Sequence, residues 1–352
     1  MDLNNHDTPS GIAASTNAGF ESLKPVDLDT LDIDKDTRTI LQRLQDQGFD
    51  QTDLSSHLIK SPKRLAAVLV LLYSQPTVNG FSPSIRVLLT TRSKSLRSHP
   101  GQTALPGGRI DDDDREPTVL WGAFREAYEE VGLPFPLALL ESHTYTTPQT
   151  SNPTASKARR TVSDVGNIEN SAELPYIPNI YILCTLSPHL SQWGLIVVPV
   201  IAYLSGPISS NPTSTPHEYF LSPTLTLRAN PTEVDRIFTH PLEGVLDPSL
   251  ASTRDDLSDL AEKGSEYWPY EEELYNSTDR VYPQLGHSIY RMHRFRSVAS
   301  PIKGLTAEIM LRIAQIAYAR SPVASIEQYA PDQIRGFEEI RKALDEYGGT
   351  RA

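Results

Sequence analysis

The sequence predicts an α/β protein, and three observations predict it. Residues 101–133 hold a glycine-rich loop followed by an amphipathic helix. Apolar runs of strand length stand before that helix, at 66–73 and 85–91, and after it, at 179–185 and 195–204. The chain has 352 residues and 38% hydrophobic content, enough for a large core with substantial polar loops. Strand runs on both sides of a helix argue for a sheet with helices packed on it.

The helix carries the chemistry. At about 100° per residue, Leu120, Phe124, Ala127, Tyr128 and Val131 share one stripe, which can pack on a sheet. Glu126, Glu129 and Glu130 fall opposite, on a face expected to be exposed. Gly132 suits the left-handed position past a helix end, and Pro134 blocks continuation. Before the helix, Pro106 stiffens a loop whose Gly107 and Gly108 let backbone approach a ligand closely. Three converging carboxylates repel one another unless a cation lies between them. Oxygen ligands alone suit Mg²⁺ or Mn²⁺, ions that polarise phosphoryl oxygens and activate water. A bare Glu-x-x-Glu-Glu pattern also occurs on solvated helix faces, so the surrounding residues must discriminate.

The rest of the chain takes its order from its apolar and turn-forming residues. Residues 1–34 are polar and aperiodic and read as a flexible tail. A short amphipathic helix at 36–47 uses Ile40, Leu41 and Leu44, and 75–83 reads as a turn between the first two strands. Arg86, Arg92, Lys94, Arg97 and Arg109 then occur with no acid between 86 and 109. Guanidinium forks bind phosphate at two points; a solvated strand end is the plainer reading of the same charges. Residues 143–173 are rich in Ser, Thr, Pro and Asn and read as an inserted loop, as does 205–216. Asn230 and Pro231 read as the cap and first turn of a short helix, placing Glu233 in a helical first turn. Residues 249–284, acidic and turn-rich with Trp268 and Tyr270, read as an insertion extending a hairpin. A strand at 287–295, an apolar helix at 304–318 and a polar amphipathic helix within 325–346, around Phe337, Ile340 and Leu344, complete the chain.

Charge and cysteine content narrow the function. A net charge of −12 argues against a general nucleic-acid or anionic-membrane surface. Cys184 is the only cysteine, which precludes an intrachain disulfide and fits a reducing compartment; its apolar run predicts a buried, inert thiol. No apolar run reaches the roughly 18–20 residues that span a bilayer. The first residues show no secretory signal or presequence, and the last four are not a Ser-Lys-Leu ending. No Walker loop, dinucleotide fingerprint or zinc spacing occurs, and His99 reads as a surface residue.

Gly108, Arg125, Glu126, Glu129, Glu130, Gly132 and Leu133, in this order, closely resemble the Nudix box. One position departs: Pro117 stands where the box has a glutamate, with Glu116 beside it. Upstream, Leu88, Leu89, Thr90, Arg92, Ser93, Arg97, Gly101, Leu105, Pro106, Gly107 and Gly108 resemble the signature that precedes the box in Nudix coenzyme A diphosphatases, with Leu105 in place of phenylalanine. Asn230, Glu233 and Val234 before Pro241-Leu242, where a strand start is expected, and the helix opening at 302–307 are similar to that family too.

The resemblance covers about residues 60–320 and implies a Nudix α/β/α sandwich with a mixed sheet. On that view 35–320 is the Nudix domain, with insertions near 145–175, 205–217 and 249–284, and 321–352 is a C-terminal helical extension. It implies metal-dependent hydrolysis of the diphosphate bond of coenzyme A and its derivatives to phosphopantetheine and adenosine 3′,5′-bisphosphate. Glu126, Glu129 and Glu130 would hold Mg²⁺ or Mn²⁺, and Arg125 would fix the array by pairing with Glu129. Arg92, Ser93, Arg97, Gly101, Gly107 and Gly108 would bind substrate. Glu126 is the first candidate for the general base and Glu233 the second. The expected partner is a small molecule, coenzyme A or an acyl-coenzyme A, with no nucleic acid and no membrane span; the oligomeric state stays open. Family members point to an intracellular, peroxisomal or mitochondrial compartment, though no address is read in this chain. Two other readings compete: a Nudix hydrolase of another nucleoside diphosphate derivative, and a catalytically silent Nudix binding module.

Overall fold

The computed structural model describes residues 23–50, 65–76, 83–110, 119–144, 176–177, 179–191, 195–206, 215, 217–222, 225–250, 260–283 and 286–347. Strand β1 (Leu65–Gln75) is its axis. One edge of β1 pairs in antiparallel fashion with β2 (Ser84–Arg92), through a register matching Leu72 to Val87. A two-residue β3 (Thr103–Ala104) adds to β2. The same edge of β1, nearer its start, receives β4 (Gly107–Arg109), with Ala67 opposite Gly108 and Val68 opposite Gly107.

Next come α2 (Val119–Val131), α1 having run earlier at Lys35–Gln45, and a short β5 (Phe135–Pro136), α3 (Leu137–Thr144) and β6 (Tyr176–Ile177). The sheet continues with β7 (Ile180–Thr185), β8 (His189–Leu190) and β9 (Ile196–Leu204). Strand β9 runs parallel to β1, and β7 and β8 run antiparallel to β9. The hairpin of β10 (Glu218–Ser222) and β11 (Leu225–Arg228) precedes β12 (Val234–Pro241), which closes the sheet beside β2. The main path is therefore β12-β2-β1-β9-β7, a mixed sheet.

The sandwich follows from the alternation of side chains along the strands. In β1, Leu65, Ala67, Leu69, Leu71 and Tyr73 belong to one core with Phe124, Ala127 and Val131 of α2. Ala66, Val70 and Leu72 belong to the other, with Ile40, Leu41 and Leu44 of α1. Strand β9 divides the same way: Val198, Val200 and Ala202 face α2, while Val197, Ile201 and Tyr203 face away. Both faces of the central strands are covered, which is why they read as unbroken apolar runs. Cys184 is buried among them, and burial pushes its thiol up to about 12, the inert group expected.

A second sheet stands over the α1 side. Strand β13 (Tyr275–Tyr282) pairs with β14 (Ser288–Phe295), and β14 with β15 (Ile302–Lys303), which runs into α4 (Gly304–Tyr318). Helix α5 (Phe337–Tyr347) follows. Among the described residues no helix is long and apolar enough to cross a membrane.

Several expectations need correction. The tail reading of 1–34 fails from residue 23 onward, because Leu28 and Leu31 are buried in the α1-side core. Asp27 caps a turn of 3-10 helix there, and Asp34 caps α1 by accepting from the amides of Asp36 and Thr37. Asn230 does not open a helix. Its carbonyl accepts from Glu233 and Val234, and its side chain from Thr232, in a single turn that hands the chain directly to β12. The antiparallel pairing of β12 with β2, from Val234 onward, outweighs the helical cap. Pro241 ends β12 rather than starting a strand. Of the described residues of 249–284, Tyr275–Tyr282 form the first strand of the hairpin with β14, and Trp268 is fully buried, its indole N–H donating to Glu272 O at 2.7 Å. The readings of 145–175, Glu116 and Pro117 lie outside the described residues.

Candidate active site

Helix α2 ends where the sequence predicts. Gly132 takes a φ of 69° and its amide bonds Tyr128 O at 2.8 Å. The apolar stripe of α2 faces the sheet, and this packing fixes where the glutamates go. They do not all face solvent. Glu130 is buried at 5% exposure, while the side chains of Glu126 and Glu129 keep 17% and 35%. On the helical wheel Glu130 falls between Val119 and Ala123, both buried, so it borders the apolar stripe. The expectation of three exposed carboxylates is corrected accordingly.

The two glycines of β4 make room for this arrangement. The Gly107 amide donates to Glu130 Oε2 at 3.3 Å. A Cβ on Gly108 would lie 2.4 Å from Glu126 Cδ. A Cβ on Gly107, whose φ is 153°, would lie 2.4 Å from Ala67 O and 2.7 Å from Val68 Cα. Gly107 thus lets β4 close on β1, and Gly108 lets Glu126 close on β4. The loop glycines serve the carboxylates as well as any ligand.

Arg125 ties the array together. Its guanidinium donates to Glu129 Oε2 at 2.9 Å, to Glu126 Oε1 at 3.0 Å and to Arg109 O at 3.0 Å. Glu233 joins from the turn before β12, held by its carbonyl, which accepts from Ser93 N at 2.8 Å. Its charge acts on both Glu126 and Glu130. Arg92, at the end of β2, stands close enough to Glu130 to stabilise its charge and donates through Nε to Ser98 O.

The electrostatics describe a crowded anionic site. Burial, reinforced by Glu126, pushes the Glu130 carboxyl up to about 8. Burial also raises Glu126 to about 7, with Glu129 and Glu233 adding to the rise and Arg125 opposing it. Among the described residues no three acidic, histidine or cysteine side chains already surround one point as a finished cage. Arg125 holds two of the carboxylates instead. The donor set nonetheless fits a hard divalent cation: carboxylate oxygens of one charge, partly desolvated.

Beyond β4 opens a cleft of about 1230 Å³, walled by the sheet on one side and by β13, β14 and α4 on the other. Arg92, His99, Gly107, Gly108 and Arg109 line it, so its wall meets the carboxylate array at β4. His99 is half-buried with a φ of 53° rather than a plain surface residue. Burial first, then Arg92, depress its pKa.

The other residues expected to bind substrate divide. Gly101 takes a φ of 65° and bonds Arg92 O, so it shapes the turn that positions Arg92. Ser93 is buried and shares a hydrogen bond with Ser95. Arg97 is exposed and outside the cleft wall. Arg86 leaves the cationic set: it is buried, donating to Thr239 Oγ1 at 2.9 Å and Thr239 O at 3.2 Å. It shares a strand face with Arg92 but lies six residues, roughly 20 Å, along β2. Sequence reasoning missed the cleft's cations on the second sheet, Arg280, Arg294 and Lys303, because they are scattered over a stretch read as an insertion and its flanks.

A glycine strand, a helix carrying three glutamates and a mixed sheet packed on both faces make up this α/β sandwich. Residues 63–165 match the NUDIX domain, so the chain carries a Nudix domain on an α/β sandwich. It is similar to "Nudix hydrolase 15, mitochondrial" of Arabidopsis thaliana, at 29% identity over 76% of this chain and 62% of that protein. It is similar to "Peroxisomal coenzyme A diphosphatase ndx-8" of Caenorhabditis elegans, at 45% identity over 23% of this chain and 32% of that protein. The Nudix hydrolase NudL of Photorhabdus laumondii is 27% identical over 65% of this chain and 89% of its own length. The chain spans about three-fifths of the length of the two Arabidopsis relatives it matches.

Proposed function

We propose that this chain is a metal-dependent Nudix hydrolase that cleaves the diphosphate bond of coenzyme A and its derivatives, releasing phosphopantetheine and adenosine 3′,5′-bisphosphate. The observation that carries the reading is the packing of Glu126 and Glu130 against β4, with Glu129 bound to Arg125 and the charge of Glu233 acting on both, at the rim of a cation-lined cleft. An array of like charges is costly to hold without a cation, and a neighbouring basic cleft suits a polyanionic substrate in a chain of net charge −12. The 45% identity over a short span to a protein named as a coenzyme A diphosphatase supports the choice of substrate. So does the resemblance at 88–108.

Glu126, Glu129 and Glu130 would hold Mg²⁺ or Mn²⁺, with Arg125 fixing the carboxylates in place. When bound, such an ion neutralises the diphosphate and lowers the pKa of a coordinated water. The chain's own residues then do the rest. Arg92, between array and cleft, offers its guanidinium to a phosphate. Glu126 takes the proton of the attacking water, with Glu233 beside it as the second candidate. Water oxygen adds to phosphorus, the anhydride P–O bond breaks, and the bridging oxygen leaves with the other phosphate. The remainder of the substrate lies in the cleft.

The test is a panel of coenzyme A, acetyl-coenzyme A, ADP-ribose, a sugar nucleotide, a diadenosine polyphosphate and capped RNA, in Mg²⁺ and in Mn²⁺, with products identified by mass. Coenzyme A or an acyl form should have the highest kcat/KM and yield the two named products. Better turnover of another diphosphate would refute the substrate, and no turnover of any would refute the enzyme.

A further inference from the structure

The second sheet carries a charge arrangement that the diphosphatase reading does not use. In the register of β14 and β15, Arg294 lies directly opposite Lys303. Like charges in that position destabilise a sheet. Arg294 is buried at 6% exposure and Lys303 is half-buried, so solvent screens the pair poorly. The hydrogen-bond partners of Arg294 are neutral. Arg294 donates to the neutral Asn276 Oδ1 at 3.0 Å and Thr278 Oγ1 at 2.9 Å, and its guanidinium stacks over Tyr270 at 5.4 Å. Burial first, then the charges of Arg294 and Arg280, depress the pKa of Lys303. The buried acid of this wall, Glu308, is already engaged by His189 and Tyr290.

All three cations line the cleft. Arg280 lies two positions past Thr278 and four past Asn276, the residue opposite Arg294, so it shares a sheet face with Arg294. His99 lines the same cleft and feels the charges of both Arg92 and Lys303. Arg280, Arg294 and Lys303 line the cleft, whereas Glu126, Glu129 and Glu130 are not among its lining residues. The amino end of α4 opens on the same wall with no side-chain cap, adding a field of the same sign. A repulsive pair held in a desolvated wall is incomplete on its own. A dianion between the two side chains would reverse the sign of the interaction.

We propose that Arg294 and Lys303, with Arg280, form the seat of a phosphate monoester that the substrate carries away from its scissile diphosphate. This deepens the diphosphatase reading and rests on it for the rest of the substrate; the ribose 3′-phosphate of coenzyme A is such a group. Tyr270, stacked on Arg294, and the neutral partners Asn276 and Thr278 hold the guanidinium in place without cancelling its charge. Asn276 directs its own amide to Glu272 at 3.3 Å, which leaves its oxygen for Arg294.

The experiment separates the seat from the chemistry. Affinities for adenosine 3′,5′-bisphosphate and for AMP are measured by calorimetry with EDTA present, on wild type, Lys303→Gln and Arg294→Gln. Wild type should prefer the bisphosphate by at least ~10-fold, the scale of one charged hydrogen-bonded contact, and Lys303→Gln should bring the two ligands level. The ligand-free Lys303→Gln protein should melt no lower than wild type, since the change relieves a repulsion. In turnover, the ratio of kcat/KM for coenzyme A over its 3′-dephospho form should fall at least ~10-fold in the same variant. Equal affinities in wild type, or a preference that survives both substitutions, would overturn the proposal. So would a lower melting temperature for Lys303→Gln, which marks a purely structural lysine. If the bisphosphate preference holds but no diphosphate is cleaved, the seat stands and the hydrolase reading falls.

Discussion

Gly107 and Gly108 are adjacent, yet replacing each by alanine should break a different thing. At Gly107 the new methyl would meet backbone, 2.4 Å from Ala67 O and 2.7 Å from Val68 Cα, and φ is 153°. Backbone in a central strand cannot step aside. Overpacking costs about 1–3 kcal/mol, and a backbone conformation reserved for glycine costs about 1–3 kcal/mol more. Gly107→Ala should therefore lose about 2–6 kcal/mol of stability. At Gly108 the methyl would lie 2.4 Å from Glu126 Cδ, the end of a flexible side chain. Glu126 can rotate away, so the stability loss should stay near ~1 kcal/mol, the level of a tolerated surface change plus repacking. The rotation takes a carboxylate out of the array, and kcat should fall about 10²–10³-fold, as when one preorganised electrostatic group is lost. Chemical denaturation and steady-state kinetics on both variants decide the matter. Near-wild-type turnover in Gly108→Ala would refute the placement of Glu126 against β4. Wild-type stability in Gly107→Ala would refute the close approach of β4 to β1.

Three other outcomes are expected. Glu129→Gln, which keeps size and removes a charge bound by Arg125, should lower kcat at least ~100-fold with little change in melting temperature; unchanged kinetics would remove Glu129 from the site. Trp268→Ala should cost about 3–5 kcal/mol, because a fully buried aromatic leaves a large cavity, and a loss under about 1 kcal/mol would return 249–284 to a dispensable insertion. His240, fully buried and further disfavoured as a cation by Arg86, has its pKa pushed down to about 3. The unfolded chain, with a pKa near ~6.5, takes up the proton first, so stability is lost as pH falls from about 6.5 toward 3. Between pH 7 and pH 5 this one group should cost wild type about 2 kcal/mol relative to His240→Gln; a stability difference unchanged by pH would refute it.

The fold was legible wherever periodicity and burial agree. The apolar runs of β1 and β9 are buried on both faces, and such strands announce themselves in any window. The capping and stop residues of α2 were equally plain. The helical wheel located the glutamates correctly in angle, but the wheel does not say how wide the covered arc is. That width was set by β4, a strand three residues long whose glycines admit Glu130 beneath them. Arg86 and Arg92 looked alike in sequence because spacing along a strand is not read as distance until the strand is placed. Asn230 misled because a cap residue serves a single turn as well as a helix, and only the pairing of β12 with β2 decides. The Arg294–Lys303 opposition was invisible for a different reason: two residues nine positions apart become neighbours only once a register exists.

The parallel pairing of β1 with β9 brings Leu65 opposite Ile196. The chain must therefore close a circuit of about 130 residues before its central ladder forms, and the entropy of such closure grows only as the logarithm of length. Removing about 25 residues from the connection would change that cost by only about 0.2 kcal/mol. The thermodynamic ledger of the ladder is thus nearly blind to how much chain is looped out between its two strands. The rate is another matter, since pairing so remote in sequence makes for a slow search. A protein built this way can acquire or shed sequence in the loops that join the elements between β1 and β9 with little effect on the sheet, while its folding time records the topology.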